Sequence, residues 1–362
     1  MTSYTEPKTA AQIDGVAPGP SWRHLVSRIA EVRRVAPNRS LSLALQGGGS
    51  FGAFTWGVLD RLLQQESLTF DLISGTSAGA INAVILADGL VDGGPAVARE
   101  RLERFWRRIS EATLVAPLGR GVAGLAAIDA LELSTRFISP YQFNPLDFNP
   151  LRNILAETVD FARLRAVSPV RLLVAATRVK DGKLRLFRED KITLEAVLAS
   201  ACLPLIHHAV EIEGDWYWDG GFSANPPLRQ LVVDTKASEI LLVQVTPQLR
   251  QSLPRSSTEI YRRICQITFN SLLQKEIDAL ADLSALCRKE GSFRSPFCRK
   301  LQRLRLHHIA ADQPADIFEQ GSALDLDWRF LTRLRESGSE AAGGWLAGHS
   351  HPSSTSENGV FQ

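Results

Sequence analysis

A serine in a glycine-bounded turn is the residue of this chain best placed to do chemistry. Ser77 lies in a G-x-S-x-G segment bounded by Gly75 and Gly79, between an apolar run at Phe70 to Ile73 and a helical pattern. In this context the segment forms a sharp strand-to-helix turn that presents the serine hydroxyl. A hydroxyl presented in this way can attack a carbonyl carbon. The sequence therefore predicts that Ser77 is a nucleophile.

A glycine-rich turn upstream of this serine could hold an anion. Residues 47–52 read G-G-G-S-F-G and follow an apolar run from Leu41 to Leu45. A turn of this kind at the start of a helix directs backbone N–H groups, and the positive end of the helix dipole, at a ligand. In a reacting ester that ligand would be the oxyanion. The expected oxyanion hole consists of Gly48, Gly49 and Ser50, between the motif glycines Gly47 and Gly52.

Asp219 is the expected base for Ser77. It follows the aromatic run Trp216 to Trp218 and precedes Gly220 and Gly221, which places its carboxylate on a tight turn at the end of a strand. A carboxylate is a weak base for a hydroxyl at neutral pH, but a partly desolvated site raises its pKa toward the working range. Ser77 and Asp219 would then act as a two-residue catalytic unit.

Two other interpretations of the glycine motifs stay open. The turn at 47–52 also fits G-x-G-x-x-G, the dinucleotide fingerprint of an oxidoreductase, which requires an acid at the far end of the second strand. Here the nearest acid is Asp71, at the beginning of that strand, which disfavours a nucleotide cofactor. The segment around Ser77 could also be a plain helix cap. The glycine turn shortly upstream favours catalysis instead.

A Ser-His-Asp triad would require a histidine after the acid. The histidines that follow Asp219 are His307 and His308, on a predicted strand, and His349 and His351, in an expected tail. None of these has the loop context of a hydrolase. His207 and His208 precede the Asp turn and could approach the site, but isolated histidines of this kind are more often structural. The dyad is therefore preferred to the triad.

The three motifs together resemble one known family. G-G-G-x-x-G, G-x-S-x-G and D-G-G occur in this order from Gly47 to Gly221, as in the patatin-like phospholipase family. The resemblance implies a three-layer α/β/α domain and a Ser-Asp dyad that hydrolyses acyl esters of phospholipids and related lipids. It makes Ser77 the nucleophile and Asp219 the base, with the glycine turn as the oxyanion hole. An intracellular polyester or another carboxylic ester is the alternative substrate.

Two details bear on this resemblance. Residues 199–204, which read A-S-A-C-L-P, are similar to the segment that precedes the Asp turn in the family. Many members carry Arg or Lys inside the glycine turn, where this chain has Ser50 and Phe51. The absence of that cation makes the binding of an anionic headgroup less strongly implied.

An alternation of strands and helices is expected to position these groups. Apolar runs of strand length alternate with helical patterns, which is typical of a mostly parallel sheet covered on both faces. The expected strands are 41–45, 70–73, 170–179, 184–187, 210–212, 216–218, 240–245 and 301–309, and the expected helices are 51–63, 77–90, 96–109, 260–286 and 324–346. The sequence thus predicts an α/β fold with a helical C-terminal extension.

Three regions are expected along the chain. Residues 1–38 combine a polar tail with a short amphipathic basic helix at 22–35, which could contact a membrane surface. Residues 39–248 form the catalytic domain, with a loop-rich excursion at 110–150. Residues 249–362 form a mostly helical extension that ends in a disordered tail.

Composition excludes several classes of protein. The 41 basic and 39 acidic side chains of the 362 residues give a formal charge of +2, which does not indicate nucleic-acid binding. We find no secretory signal, no apolar run long enough to span a membrane and no metal-ligand spacing, and we expect no cofactor. The four cysteines, Cys202, Cys265, Cys287 and Cys298, are expected to be reduced. A cytoplasmic protein is expected. The helix at 22–35 either packs on the domain or contacts a membrane surface, and both this choice and the oligomeric state stay open.

Overall fold

The computed structural model describes residues 39–115, 138–248, 252–289, 295–311 and 322–349. The predicted basic helix at 22–35, much of the loop-rich excursion and all but the first residue of the predicted tail lie outside these ranges. The predicted boundary at residue 248 stays a prediction. The described residues all belong to one compact unit that begins at Arg39.

Eight strands and eleven α-helices make up the described part of this unit. The strands are β1 (Arg39–Leu45), β2 (Leu68–Thr76), β3 (Arg171–Arg178), β4 (Leu184–Arg188), β5 (Val210–Ile212), β6 (Asp215–Asp219), β7 (Glu239–Gln244) and β8 (Arg305–Ala310). The helices are α1 (Gly52–Leu62), α2 (Ala78–Gly93), α3 (Pro95–Val115), α4 (Pro140–Phe143), α5 (Pro150–Thr158), α6 (Phe161–Val167), α7 (Leu194–Ser200), α8 (Leu228–Asp234), α9 (Ser257–Lys289), α10 (Pro296–Arg303) and α11 (Trp328–Gly348). Both predicted hairpins, β3–β4 and β5–β6, are present.

All eight strands belong to one mixed sheet. Its order is β5-β6-β3-β2-β1-β7-β8, and β4 pairs with β3. Strands β3, β2, β1, β7 and β8 run parallel to one another, whereas β4, β5 and β6 join by antiparallel pairing. The carboxyl ends of β1 and β2 therefore meet at one edge of the sheet, and each continues into one of the two glycine motifs.

Side chains alternate between the two faces of the sheet and enter two separate cores. Leu41, Leu43 and Leu45 of β1 pack with α1, α2, α3 and α11, whereas Ala44 packs on the opposite face with α8, α9 and α10. A strand with apolar side chains on both faces is typical of a parallel sheet covered by helices on both sides. The predicted three-layer α/β/α fold with a mostly parallel sheet and a helical C-terminal extension is confirmed.

The C-terminal extension also contributes a strand to this sheet. Strand β8 pairs in parallel with β7, so the extension supplies the strand at one edge of the central sheet. The predicted strand at 301–309 is wrong in its first half, where α10 continues to Arg303. Phe297, Leu301 and Leu304 pack in the second core with the spacing of one helix face, which the alternating pattern at 301–309 concealed.

A disulfide corrects the expectation of four reduced cysteines. Cys287, near the end of α9, is bonded to Cys298 in α10, with 5.5 Å between their Cα atoms. The two helices pack together on the second core, and their connection brings residues 11 apart into bonding distance. This spacing matches no common cysteine motif, which is why sequence reasoning missed the pair. Cys202 and Cys265 are not disulfide-bonded.

Alkylation should reveal this difference between the cysteines. Iodoacetamide added to the unfolded, unreduced protein is expected to modify two cysteines, and prior reduction is expected to raise the number to four. Intact-protein mass spectrometry followed by peptide mapping counts and locates the modified residues. Modification of Cys287 and Cys298 without prior reduction would contradict the disulfide.

Of the helices that the structure describes, none is long and apolar enough to cross a membrane.

Candidate active site

Ser77 lies at a strained turn between β2 and α2. Its backbone has a φ of 53° and a ψ of −124°, in a region that residues other than glycine rarely adopt. Such strain is common where a strand-to-helix elbow presents a catalytic serine. The Ser77 N–H donates a hydrogen bond of 2.9 Å to Ser200 Oγ, which helps to fix the turn. The backbone conformation of the turn thus sets the direction of the Ser77 side chain.

The motif glycines let the two turns and the Asp turn pack closely. A Cβ on Gly47 would lie 2.6 Å from Thr76 O and 2.7 Å from Ser77 Cβ, so the glycine turn touches the serine turn directly. A Cβ would also come within 3 Å of a neighbouring atom at Gly52, Gly75, Gly79, Gly220 and Gly221. These positions favour glycine because a Cβ at each of them would clash with a neighbouring backbone or side-chain atom.

The topology explains why Asp219 reaches Ser77. Strand β4 pairs along one edge of β3, so β2 and β6 must share the other edge. On that edge Thr76 is opposite Ala175, and Asp219 is opposite Ala176. Strands β2 and β6 therefore end at adjacent positions on β3. The residue after Thr76 is Ser77, which brings the serine turn and the Asp turn together.

Asp219 is fully buried, and its surroundings favour the protonated carboxyl. Burial raises the pKa of Asp219 to about 7, against smaller effects of hydrogen bonding to Ser77 and Gly221 that lower it. Asp219 Oδ1 accepts a 2.7 Å hydrogen bond from the Gly221 N–H. The backbone of Asp219 is held by Thr177 Oγ1, which donates to its carbonyl, and by its own N–H, which donates to Cys202 O. The carboxyl thus titrates near neutral pH in a fixed position.

The contact between Ser77 and Asp219 is loose. The Ser77 hydroxyl is close enough to lower the pKa of Asp219, yet Asp219 Oδ2 has no hydrogen bond of ordinary geometry among the described residues. Catalytic hydrogen bonds are often long or poorly aligned before substrate binds. Asp219 Oδ2 is therefore the carboxyl oxygen that has no hydrogen-bond partner among the described residues.

Two of the three predicted backbone N–H donors in the glycine turn have no hydrogen-bond partner among the described residues. Gly49 has a φ of 60°, and the Gly48 and Gly49 amides form no hydrogen bond with the described residues. The Ser50 N–H instead donates a 2.8 Å hydrogen bond to Ala323 O, and Ser50 Oγ donates to Ser322 O at 2.9 Å. In this conformation the Ser50 amide is therefore engaged by the C-terminal extension.

Two positioning residues were missed by sequence reasoning. Asn225, which is buried, accepts a 2.7 Å hydrogen bond from the Gly47 N–H at its Oδ1 and donates from Nδ2 to Gly47 O. It ties the glycine turn to the loop that follows the Asp turn. Ser200 accepts the hydrogen bond from the Ser77 N–H that helps to fix the serine turn. The segment 199–204 gave a hint of Ser200, whereas no motif pointed to Asn225.

A mainly apolar cavity of about 330 Å³ lies over this constellation. Its floor includes Ser77, Asp219, Gly48 and Gly49. Its walls come mainly from the segment after α7 and, within the C-terminal extension, from α9 and residues 323–324. The wall residues are Phe51, Leu203, Pro204, Leu205, Ile206, Phe222, Thr246, Tyr261, Arg262, Cys265, Gln266, Phe269, Ala323 and Leu324. Such a cavity suits an acyl chain better than a polar ligand.

The described histidines lie outside the lining of the cavity. His207 and His208 are absent from the cavity wall, and the His208 ring stacks on Tyr141 with ring centres 4.1 Å apart. His307 is hydrogen-bonded to Glu239, and His308 to Gln244. Among the described residues, no histidine faces the cavity and no group of three or more His, Cys, Asp or Glu could hold a metal ion.

A comparison with protein families identifies the family of this chain. The sequence model described as patatin-like phospholipase matches residues 43–232, more than half of the chain, including Ser77 and Asp219. The chain belongs to the patatin-like phospholipase family. Members of this family act on lipids, and the resemblance carried by the three motifs is thereby confirmed.

Individual relatives are distant. The uncharacterized protein YjjU of Escherichia coli (strain K12) is 28% identical over 228 residues, which cover 62% of this chain and 57% of YjjU. The match thus spans little more than half the length of that relative. Among solved structures, VipD from Legionella pneumophila has a TM-score of 0.33 and 14% identity, with 83% of this chain and 67% of VipD covered. The heterodimeric complex ExoU-SpcU from the type III secretion system of Pseudomonas aeruginosa has a TM-score of 0.29 and 15% identity, with 87% and 76% covered.

Proposed function

We propose that this protein is a serine acyl hydrolase that releases fatty acids from phospholipids or related lipid esters. One observation carries the proposal: a buried Asp219 with a pKa near 7 lies beside the strained Ser77 on the floor of an apolar cavity. A carboxyl that titrates near the working pH is well suited to general base catalysis. An apolar cavity above it suits the acyl part of a lipid.

The first half of the reaction forms an acyl-enzyme. Asp219 Oδ2 takes the proton of Ser77 Oγ as that oxygen bonds to the ester carbonyl carbon. The amides of Gly48 and Gly49 hold the developing oxyanion, and the Ser50 amide joins them only if Ala323 O moves away. Collapse of the tetrahedral intermediate breaks the ester bond, and the leaving alcohol takes the proton from Asp219.

The second half restores the enzyme. Asp219, again ionised, takes a proton from a water molecule that attacks the acyl-serine carbonyl. The same amides hold the second oxyanion. When the intermediate collapses, the fatty acid leaves and Ser77 Oγ regains a proton from Asp219. Each cycle therefore requires Asp219 to be unprotonated twice, so turnover is expected to rise with pH through about 7.

Product analysis on a mixed lipid panel tests this function. Purified protein is incubated with phospholipids, neutral glycerides and a short polyester, and mass spectrometry identifies the products. Release of fatty acids from a phospholipid, absent with Ser77→Ala, is the expected result. Release of hydroxyacids from the polyester, with no product from the other lipids, would indicate that a polyester is the substrate. Hydrolysis of none of these substrates would contradict the proposal.

Replacement by alanine in the glycine turn should lower kcat more at Gly49 than at Ser50. A Cβ on Gly49 would lie 2.2 Å from Ala323 O and would strain a backbone with positive φ, so Gly49→Ala is expected to displace an oxyanion donor. Loss of one such donor typically lowers kcat by about 10²- to 10³-fold. Ser50→Ala removes only the side-chain bond to Ser322 O and should lower kcat much less.

Kinetics with a p-nitrophenyl ester, together with melting curves, measure this difference. The melting curves show whether each variant is folded at the assay temperature. A folded Gly49→Ala protein with the kcat of the wild type would show that the oxyanion is bound elsewhere.

A further inference from the structure

One aromatic side chain of α9 lies directly against the Asp turn. A Cβ on Gly221 would lie 2.0 Å from Phe269 Cε1 and 3.0 Å from Asp219 Oδ1, so the ring and the carboxyl lie against the same glycine. Glycine allows this close approach because it has no side chain. The Phe222 ring packs against Phe269, with ring centres 5.5 Å apart, and both rings line the cavity. Phe269 therefore covers the Asp turn on the side of α9.

The residue next to Phe269 fixes α9 in this position. Asn270 Oδ1 accepts hydrogen bonds from Gln46 Nε2 at 2.9 Å and from Gln244 Nε2 at 3.1 Å. Its Nδ2 donates to Pro247 O at 3.0 Å. Asn270 thus joins α9 to the carboxyl ends of β1 and β7, beside the glycine turn. This network holds the ring of Phe269 over the Asp turn.

The carboxyl of Asp219 belongs to the cavity lining and is nevertheless fully buried. Burial is the main cause of its raised pKa, and hydrogen bonding to Ser77 and Gly221 acts in the opposite direction. Neither of these two residues titrates near neutral pH, nor does Thr177, which holds the Asp219 carbonyl. A change in the apolar surface that excludes water should therefore move this pKa.

The titratable side chains around Asp219 come from two elements. In the segment after α7, burial and then the charge of Asp219 raise the pKa of the Cys202 thiol to about 12, so this thiol is uncharged near neutral pH. On the cavity wall, α9 supplies Tyr261, Arg262 and Cys265. Arg262 is a cation, and a cation would lower the pKa of a carboxyl rather than raise it. The exclusion of water therefore accounts for the titration of Asp219.

We propose that Phe269 is a positioning residue that keeps water away from the carboxyl of Asp219 and so enables that carboxyl to act as a base near neutral pH. Its ring lies against the Asp turn, and apolar surface beside a carboxyl favours the protonated form. A carboxyl that holds its proton more tightly is a stronger base for Ser77. The inference rests on the proposed function, in which Asp219 takes the serine proton.

The pH dependence of kcat/KM for a p-nitrophenyl ester tests this role, because its midpoint reports the ionisation of the base in the free enzyme. Phe269→Ala opens the carboxyl to water and is expected to move the midpoint downward by about one pH unit or more. The weaker base should also lower kcat/KM on the plateau at high pH. Phe269→Leu keeps an apolar side chain over the turn, so its midpoint should stay close to that of the wild type. If melting curves show that Phe269→Ala is unfolded at the assay temperature, Phe269→Val replaces it, with a shift in the same direction.

Tyr261→Ala is the matched control. Tyr261 lines the same cavity from the same helix, but it lies about two turns before Phe269, or about 12 Å along the axis. Loss of this ring should change KM, because the cavity loses apolar surface. The midpoint should stay at the pH of the wild type.

Melting curves follow the Asp219 proton without any turnover. Stability from the raised pKa is fully present below about pH 4 and is lost as pH rises through about 7. The melting temperature of Asp219→Asn minus that of its parent should therefore increase from pH 5 to pH 8. This increase should be smaller when both proteins also carry Phe269→Ala, because the pKa of the opened carboxyl lies closer to that of the unfolded chain.

Three outcomes would overturn the proposal. The first is a folded Phe269→Ala or Phe269→Val protein with the midpoint of the wild type. The second is an equal downward shift in Tyr261→Ala, which would show that the cavity as a whole excludes the water. The third is a pH-dependent difference in melting temperature that Phe269→Ala does not reduce. Any of these in a protein that hydrolyses esters rejects only the role of Phe269, whereas a wild type without ester hydrolysis rejects the proposed function and leaves the melting curves to decide about Phe269.

Discussion

Asp219→Asn is expected to lower kcat for a p-nitrophenyl ester by about 10²- to 10⁴-fold while the protein stays folded. Asparagine keeps the shape of the side chain and an oxygen to accept the Gly221 N–H, but it cannot take the proton of Ser77. If Asp219 and Ser77 act as a unit, the double variant Ser77→Ala, Asp219→Asn should be little worse than either single variant.

Histidine replacements are the matched controls for this result. Because no described histidine lines the cavity, replacement by Gln should leave most of the activity. The four positions to test are His207, His208, His307 and His308. A folded histidine variant as inactive as Asp219→Asn would indicate a triad and contradict the dyad.

Asp219→Asn should also change how the stability of the protein depends on pH. The raised pKa means that the folded protein holds the Asp219 proton more tightly than the unfolded chain does. Stability from this group is therefore fully present below pH 4 and is lost as pH rises through about 7, by an amount on the order of 4 kcal/mol. Asparagine does not ionise, so the melting temperature of Asp219→Asn minus that of the wild type should increase from pH 5 to pH 8. A difference that stays constant over this range would contradict the raised pKa.

Ser77→Ala is expected to reduce ester hydrolysis to the background rate. In the proposed mechanism its hydroxyl forms the covalent bond to the acyl group, and alanine has no group that could do so. The turn should persist, because it is held by the backbone N–H bond to Ser200 Oγ and by close glycine packing rather than by the serine side chain. A melting temperature close to that of the wild type, measured beside the ester assay, would separate loss of chemistry from loss of fold. Retention of most activity in the folded variant would exclude Ser77 as the nucleophile.

The sequence was sufficient to place the serine and the aspartate on the correct elements. Each lies in a short motif whose turn is set by local glycines, and hydrophobic periodicity identified the strands that end at them. Their proximity followed only from the shared edge of β3, on which β2 and β6 end at neighbouring residues. Local patterns therefore predicted the parts of the site, and long-range pairing assembled them.

Contacts between residues far apart in the chain were beyond sequence reasoning. Ser50 is hydrogen-bonded to Ala323, and Asn225 is hydrogen-bonded to Gly47. These pairs are so far apart in the sequence that no periodic pattern predicts their contact. The same limit applies to the disulfide between α9 and α10, which depends on how the two helices pack. The engagement of the Ser50 amide is the most informative of these findings, because in the proposed oxyanion hole it leaves only the Gly48 and Gly49 amides without a partner among the described residues.

Labelling with a fluorophosphonate probe tests the central proposal, a Ser77–Asp219 dyad, most directly. The probe forms a stable covalent bond with an activated serine, and peptide mass spectrometry locates it. We expect a single adduct on Ser77 in the wild type, no adduct in Ser77→Ala, and labelling of Asp219→Asn that is slower by about 10²-fold or more. An adduct on another serine, or equal labelling rates for the wild type and Asp219→Asn, would contradict the dyad.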